Sequence, residues 1–150
     1  MDVYNIVIVF VAISFIAYGI NSFISNKMIL EFNRWGLEKK RREIGGFQLF
    51  CGIGILIGLW SNLLLIVSSV ILIIMMLVAV YVRIKIKDNI SEILPATAYL
   101  ILGIIIFVSG FYINVRSDYM LINLRKAKGP GYHIPRGFLY EKISAPNYFG

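Results

Sequence analysis

The sequence has few of the residues on which disulfide-linked folds and metal sites depend. Its 150 residues include one cysteine, Cys51, and one histidine, His133. A single cysteine excludes an internal disulfide, and a lone histidine without partner ligands predicts no metal site. Because Cys51 lies in an apolar run, we interpret it as a small buried residue rather than a reactive thiol.

Polar residues are also scarce. Apolar residues make up 59% of the chain and the mean hydropathy is +0.79, whereas soluble domains are about 45–50% apolar. A chain this apolar has too little polar surface to cover itself in water, so we predict an integral membrane protein. The net charge of +7 is concentrated between apolar runs, where the positive-inside rule and anionic headgroups place basic residues. This distribution favours a lipid bilayer over nucleic acid as the partner.

Four apolar segments predict four transmembrane helices and an all-α membrane bundle. The first segment has neither the basic leader nor the small-residue cleavage site of a signal peptide. A helix of about 20 residues crosses a hydrocarbon core of about 30 Å, although the second segment is shorter than this. The predicted spans are residues 4–24, 46–60, 63–82 and 90–113.

The connection over residues 26–45 predicts a short amphipathic helix in the membrane interface. Met28, Phe32 and Trp35 recur at i, i+4 and i+7, which places them on one helical face, and a basic cluster follows at residues 39–42. Such a helix directs its apolar face into the bilayer and its cations toward headgroups. A solvated charged loop is the alternative.

Glycines at helical spacing predict close packing between spans. Gly54 and Gly58 form a G-x-x-x-G pair in the second span, with Gly52 nearby, and Gly103 and Gly110 lie in the fourth. Small residues at this spacing let helix backbones approach closely in lipid. The same faces are candidates for joining two copies, so a homo-oligomer is a further prediction.

Three stretches in the first two thirds of the chain carry a family resemblance. They read AYGINSFISNKMILEFNRWGL, GGFQLFCGIGILIGLW and VRIKIKD. Residues of about 15–106 resemble the DoxX-like family of small bacterial membrane proteins. The resemblance implies a four-helix bundle over residues 1–113 in a bacterial inner membrane, and it supplies architecture rather than a biochemical role.

Residues 114–150 form the one polar, basic and motif-dense part of the chain. If the last span continues as a helix out of the membrane, Asn114, Asp118 and Arg125 share one face at i, i+4 and i+11. An arginine binds phosphate as a bidentate fork, and carboxylate and amide groups suit ribose hydroxyls or a carboxamide. Composition alone favours the other interpretation, a basic juxtamembrane tail that binds anionic lipid.

Four motifs follow one another in this part of the chain. They are Asn114 with Ser117-Asp118, then Leu124-Arg125-Lys126, then GYHIPRG over residues 131–137, then Ser144 with Asn147-Tyr148-Phe149-Gly150. In this order they make residues of about 103–150 similar to the C-terminal region of the steroid 5α-reductase family. That family reduces the C=C bond of an enone in steroids or related lipids with NADPH.

The resemblance implies an NADPH site and identifies residues for it. The implied cofactor-binding residues are Asn114, Asp118, Arg125, Tyr132 and Asn147. The implied substrate is a steroid-like or isoprenoid lipid, and no catalytic residue is assigned.

The resemblance also sets an expectation about completeness. The family's motif continues into a glutamate of the cofactor site, whereas this sequence ends at Gly150, and the family's carbonyl-binding Glu and Tyr have no counterpart here. We therefore expect a partial cofactor segment over residues 114–150, incomplete as a reductase by itself, from a natural fusion or a truncated product. The alternative function is a non-enzymatic DoxX-like scaffold whose basic tail binds anionic lipid.

The four-span arrangement places both basic connections on one side of the membrane and the basic tail on the other. The positive-inside rule, and the cytoplasmic location of NADPH, favour one side for all three. A re-entrant fourth span would remove this conflict. A tail that derives from a protein with a different number of spans would also remove it, which favours a chimeric product.

Overall fold

The computed structural model describes residues 3–128, and this part of the chain is built of helices without strands. The all-α prediction is therefore confirmed for these residues. The helices are α1 (Val3–Ile24), α2 (Asn26–Arg34), α3 (Arg41–Ile57), α4 (Asn62–Lys85) and α5 (Ile90–Lys128), with a 3-10 turn at Glu38–Lys40 before α3.

Three of these helices, α1, α4 and α5, are long and apolar enough to cross a membrane. The remaining candidate, α3, has 17 residues and is about 25 Å long, which is less than a hydrocarbon core of about 30 Å. Its first turn also carries charged residues, Arg41 and Glu43. The predicted count of four spans is therefore not confirmed, because the second predicted span is too short.

Helices that are neighbours in the bundle run antiparallel, and glycines in α3 and directly after it set how closely they pack. A methyl group at Gly52 would lie 2.8 Å from the Ile16 side chain and 2.9 Å from the carbonyl oxygen of Ala12, both on α1. At Gly58 it would lie 2.8 Å from the Cα of Leu65 on α4. The predicted glycine packing is confirmed, and it occurs within one copy of the chain.

The core is a narrow apolar column shared by α1, α3, α4 and α5. Its central members include Ile8, Phe15, Ile55, Leu72 and Ile106. Cys51 is fully buried in this column, and its thiol donates a hydrogen bond to the carbonyl oxygen of Ser68 at 3.1 Å. The interpretation of Cys51 as a small buried residue is therefore confirmed.

The predicted amphipathic helix is present as α2, so the alternative of a solvated loop is wrong. Phe32 is only 2% exposed, and its ring meets Trp35 edge to face with centroids 5.0 Å apart. The guanidinium of Arg83, on α4, lies 4.9 Å from the centre of the Trp35 ring. Phe32 and Trp35 therefore pack within the protein, whereas the sequence predicted that this face enters the bilayer.

An ionic cluster ties α2 to the turn between α4 and α5. Arg34 contacts Asp88 at 2.5 Å, Glu31 at 2.6 Å and Glu92 at 3.2 Å. Arg83 contacts the same Asp88 at 3.1 Å, and the Asp88 side chain is only 3% exposed. The hydrogen bond to Glu31 raises the pKa of Arg34 above its ordinary value, so this arginine stays charged.

The last helix is the longest element. α5 has 39 residues and spans about 58 Å. Pro95 lies in its second turn, where proline has no N–H for the helical hydrogen bond to the carbonyl oxygen of Ser91. The Asn62 side chain, at the start of α4, donates a hydrogen bond to the carbonyl oxygen of Gly110 at 3.0 Å. Because α4 begins at Asn62 and runs antiparallel to α5, the part of α5 after Gly110 extends past the start of α4.

The continuity of α5 distinguishes a fourth predicted span that crosses the membrane from one that is re-entrant. A re-entrant span would have to turn back, whereas α5 continues as one helix to Lys128. The re-entrant alternative is therefore wrong. Both basic connections lie at one end of the bundle, and the C-terminal half of α5 leaves from the other end.

Candidate functional site

The candidate site lies on residues 111–128 of α5, which we call the projecting segment. Asn114, Asp118 and Arg125 lie on it, together with Leu121 at the intervening turn. At 100° per residue these four positions fall within about 60° of one another, and they extend over about 16 Å of the helix axis. The structure therefore places the first three predicted cofactor residues on one face, which we call the polar stripe.

The polar groups of this stripe are available to a ligand. Asn114 is half-buried, and Asp118 and Arg125 are exposed. Within residues 3–128 none of these three side chains has a hydrogen-bond or ion-pair partner. The other two predicted cofactor residues, Tyr132 and Asn147, lie outside the described residues.

A second stripe with the same spacing runs along the opposite face of the projecting segment. It consists of Tyr112, Arg116, Tyr119 and Asn123, each two residues before a member of the polar stripe and thus about 200° away around the helix. Arg116 donates a hydrogen bond to the Tyr112 hydroxyl and lies 5.8 Å from the centre of that ring. These residues line a cleft of about 770 Å³.

Sequence reasoning missed this aromatic stripe, although its i, i+4 and i+7 spacing was visible. Asn114 and Asp118 belong to a motif of the steroid 5α-reductase family, whereas Tyr112 and Tyr119 belong to none of the four motifs. Aromatic faces and a guanidinium stack on flat ring systems. The projecting segment therefore presents two chemically different faces, one with polar groups and one with aromatic rings.

The described part of the chain has no candidate metal-binding site. No three histidine, cysteine, aspartate or glutamate side chains are grouped there in a way that could hold a metal ion. Glu31, Asp88 and Glu92 are each ion-paired with Arg34, and Asp88 also with Arg83.

The fold and the projecting segment define an integral membrane protein built of helices. A family model described as 3-oxo-5-alpha-steroid 4-dehydrogenase matches residues 61–150, the larger part of the chain. The chain therefore belongs to this family. The match takes in α4, all of α5 and the residues that follow.

Curated relatives show the same likeness over a shorter stretch. A steroid 5-alpha-reductase of Gossypium hirsutum is 54% identical over 48 residues, which is 32% of this chain and 19% of the relative. The 3-oxo-5-alpha-steroid 4-dehydrogenase 1 of Homo sapiens is 48% identical over 50 residues, 33% of this chain and 19% of the relative. The chain thus covers about a fifth of the length of these relatives. No solved structure matches it.

These comparisons confirm one of the two resemblances and extend it. The steroid 5α-reductase resemblance, predicted from about residue 103 onward, begins at residue 61. The DoxX-like resemblance finds no support. The boundary between residues 113 and 114 stays a prediction, and α5 crosses it without interruption. A bacterial inner membrane and a homo-oligomer also stay predictions.

Proposed function

We propose that this chain supplies the NADPH-binding part of a membrane reductase that reduces the enone C=C bond of a steroid-like lipid. Membership of the 3-oxo-5-alpha-steroid 4-dehydrogenase family supports the class of reaction. The observation that supports NADPH as the cofactor is the polar stripe. Its half-buried amide and its exposed carboxylate and guanidinium lie on one helix face without partners in the described part of the chain.

Each side chain of the stripe suits a different part of the cofactor. Arg125 offers the bidentate donors that bind phosphate. Asp118 accepts hydrogen bonds from ribose hydroxyls, and Asn114 both donates and accepts, as a carboxamide requires. Tyr132 and Asn147 complete the proposed set.

The order of these residues along α5 is consistent with the chemistry of the substrate. Asn114 lies nearest to the apolar part of the helix, and Arg125 lies furthest from it. An apolar substrate dissolved in the bilayer therefore meets the end of the stripe that suits a carboxamide, while charged phosphates stay in water. When bound, NADPH supplies the hydride that an enone accepts.

The proposal is tested by measuring the dissociation constant for NADPH with the full chain in lipid nanodiscs. Removing a charge-assisted bidentate contact costs roughly 1.5–3 kcal/mol, so Arg125→Ala should weaken binding about 10- to 100-fold. Lys126→Ala is the matched control, because it removes the same charge from the next residue, which points about 100° away.

Two outcomes would contradict the proposal. If the two substitutions raised the dissociation constant for NADPH equally, binding would depend on the positive charge and not on the position of Arg125 in the polar stripe. The alternative function, a basic scaffold that binds anionic groups, predicts binding that is lost at high salt without preference for NADPH over ATP.

A further inference from the structure

Acidic and basic side chains are sorted at the end of the bundle where α1 and α4 end and α3 and α5 begin. Glu31, Asp88 and Glu92, three of the five acidic residues between residues 25 and 92, are ion-paired. Arg34 pairs with all three, and Arg83 pairs with Asp88, whose side chain is only 3% exposed. Arginines of the protein itself therefore neutralise most of the negative charge at this end.

Most of the basic residues at this end have no such partner. Within residues 3–128, six exposed cations here form neither a hydrogen bond nor an ion pair. We call them the basic surface, which consists of Lys27, Lys39, Lys40, Arg42, Lys85 and Lys87. The exposed carboxylates that are left unpaired here are those of Glu38 and Glu43. Six cations against two carboxylates make the outer surface of this end positive.

Exposed apolar side chains lie next to these cations along the chain. Ile24, at the end of α1, is 73% exposed and lies three residues before Lys27. Ile84, near the end of α4, is 59% exposed and directly precedes Lys85. Ile90, at the start of α5, is 81% exposed. Because α1, α4 and α5 are long and apolar enough to cross a membrane, such side chains face acyl chains, and cations within one turn of them lie at the level of lipid headgroups.

The outer face of α2 combines the same two kinds of side chain. α2 follows the end of α1, and its Arg34 reaches the turn between α4 and α5, so this helix lies across the end of the bundle. Phe32 is buried in the protein, whereas Leu30 is 68% exposed and lies at i+3 from Lys27. At a membrane surface, a leucine in this position enters the boundary of the acyl chains while the lysine extends its ammonium group to the headgroups. The outer face of α2 therefore suits a bilayer surface.

We propose that the basic surface binds the headgroups of anionic phospholipids in preference to zwitterionic ones, and that it holds this end of the bundle against an acidic leaflet. Lysine ammonium groups bind phosphate as point charges, and basic groups beside a bilayer attract acidic headgroups. A soluble acidic partner would leave the exposed apolar side chains at the same level without a role. The basic surface lies at the end of the bundle opposite to the projecting segment, so the proposal does not depend on NADPH binding.

The test measures which phospholipids contact the full chain, with no nucleotide present. The chain is reconstituted in phosphatidylcholine vesicles that contain a trace of spin-labelled phosphatidylglycerol or spin-labelled phosphatidylcholine. Electron paramagnetic resonance gives the fraction of each probe whose motion the protein restricts. One cation beside a headgroup favours an acidic lipid about fivefold, and only part of the lipid shell touches the basic surface, so we expect a preference for phosphatidylglycerol of about two- to fivefold. This preference should disappear in about 1 M salt.

Two variants that lose the same charge locate the binding. The first replaces four cations of the basic surface by Lys39→Gln, Lys40→Gln, Lys85→Gln and Lys87→Gln. It should lose about two thirds of the preference, which is the share of four cations among six. The matched control replaces four cations of the C-terminal part of the chain by Lys126→Gln, Lys128→Gln, Arg136→Gln and Lys142→Gln, and it should keep the preference.

A further variant makes the result independent of one set of substitutions. Lys27→Gln with Arg42→Gln changes two other members of the basic surface, both exposed and unpaired within residues 3–128, and it should lose about a third of the preference. Equal restriction of the two probes by the wild-type chain would overturn the proposal, as would equal losses in the first variant and the matched control. A preference lost in the matched control alone would place lipid binding on the basic tail and would also overturn it.

Discussion

Two glycines on α3, six residues apart, should respond in opposite ways to the same substitution. Gly52 faces α1, where an added methyl group would lie 2.8 Å from Ile16 and 2.9 Å from the carbonyl oxygen of Ala12. Gly46 has no atom within 4 Å of the same position. Gly52→Ala therefore forces α1 and α3 apart, whereas Gly46→Ala adds a methyl group to open space.

The expected change in the free energy of unfolding is the sum of two opposing contributions. Replacing glycine by alanine inside a helix stabilises it by up to about 1 kcal/mol at either position. Overpacking a tight contact costs about 1–3 kcal/mol, and this cost applies at Gly52 alone. Because the helix contribution is the same for both, the free energies of unfolding of the two variants should differ by about 1–3 kcal/mol.

The assay is equilibrium unfolding in mixed micelles with increasing SDS, followed by circular dichroism. We expect the unfolding midpoint of Gly46→Ala to be at or above that of the wild-type chain and that of Gly52→Ala to be below it. If Gly52→Ala were as stable as Gly46→Ala, the close approach of α1 and α3 at Gly52 would be refuted.

Three further predictions concern other contacts in the bundle. Asp88→Asn should lower the thermal unfolding midpoint more than Glu92→Gln, because Asp88 is the buried partner of two arginines and Glu92 is 44% exposed. Equal midpoints of the two variants would contradict the ionic cluster. Asn62→Ala should cost about 0.6–2 kcal/mol in the SDS assay through loss of its hydrogen bond to Gly110, and an unchanged midpoint would contradict that bond. Cys51 should resist maleimide in the folded protein and react after unfolding, since it is 0% exposed; rapid labelling before unfolding would show that the core is open.

The sequence predicted most helices because their signals are local. The periodic apolar residues of α2 and the long apolar runs of α1 and α4 determine those elements almost alone. The glycine spacing on α3 predicted close packing, and the structure adds which neighbour each glycine faces: α1 for Gly52 and α4 for Gly58.

What the sequence left unpredicted depends on contacts between distant residues. The charges of Arg34 and Asp88 are 54 positions apart, so no local pattern indicates that they meet. The second apolar run, residues 46–60, predicts a span by its composition, although α3 has only 17 residues. The groove that Tyr4 lines with Val108 and Tyr112 forms only where α1 and the middle of α5 lie side by side.

The candidate site was predicted in part. Helical periodicity placed Asn114, Asp118 and Arg125 on one face, and α5 provides the continuous helix that this requires. Their role in NADPH binding comes from the family resemblance and stays a prediction. The aromatic stripe with Tyr112 and Tyr119 on the opposite face became evident from the cleft that it lines.

The most direct test of the central claim is a labelling measurement on the two faces of the projecting segment. Leu121→Cys places a thiol within the polar stripe, and Asn123→Cys places one on the aromatic stripe, while the native Cys51 is buried. In nanodiscs, NADPH should slow maleimide labelling of Leu121→Cys several-fold and leave Asn123→Cys unchanged. Protection of Asn123→Cys instead, or no protection of either thiol at saturating NADPH, would contradict the assignment of the polar stripe to the cofactor.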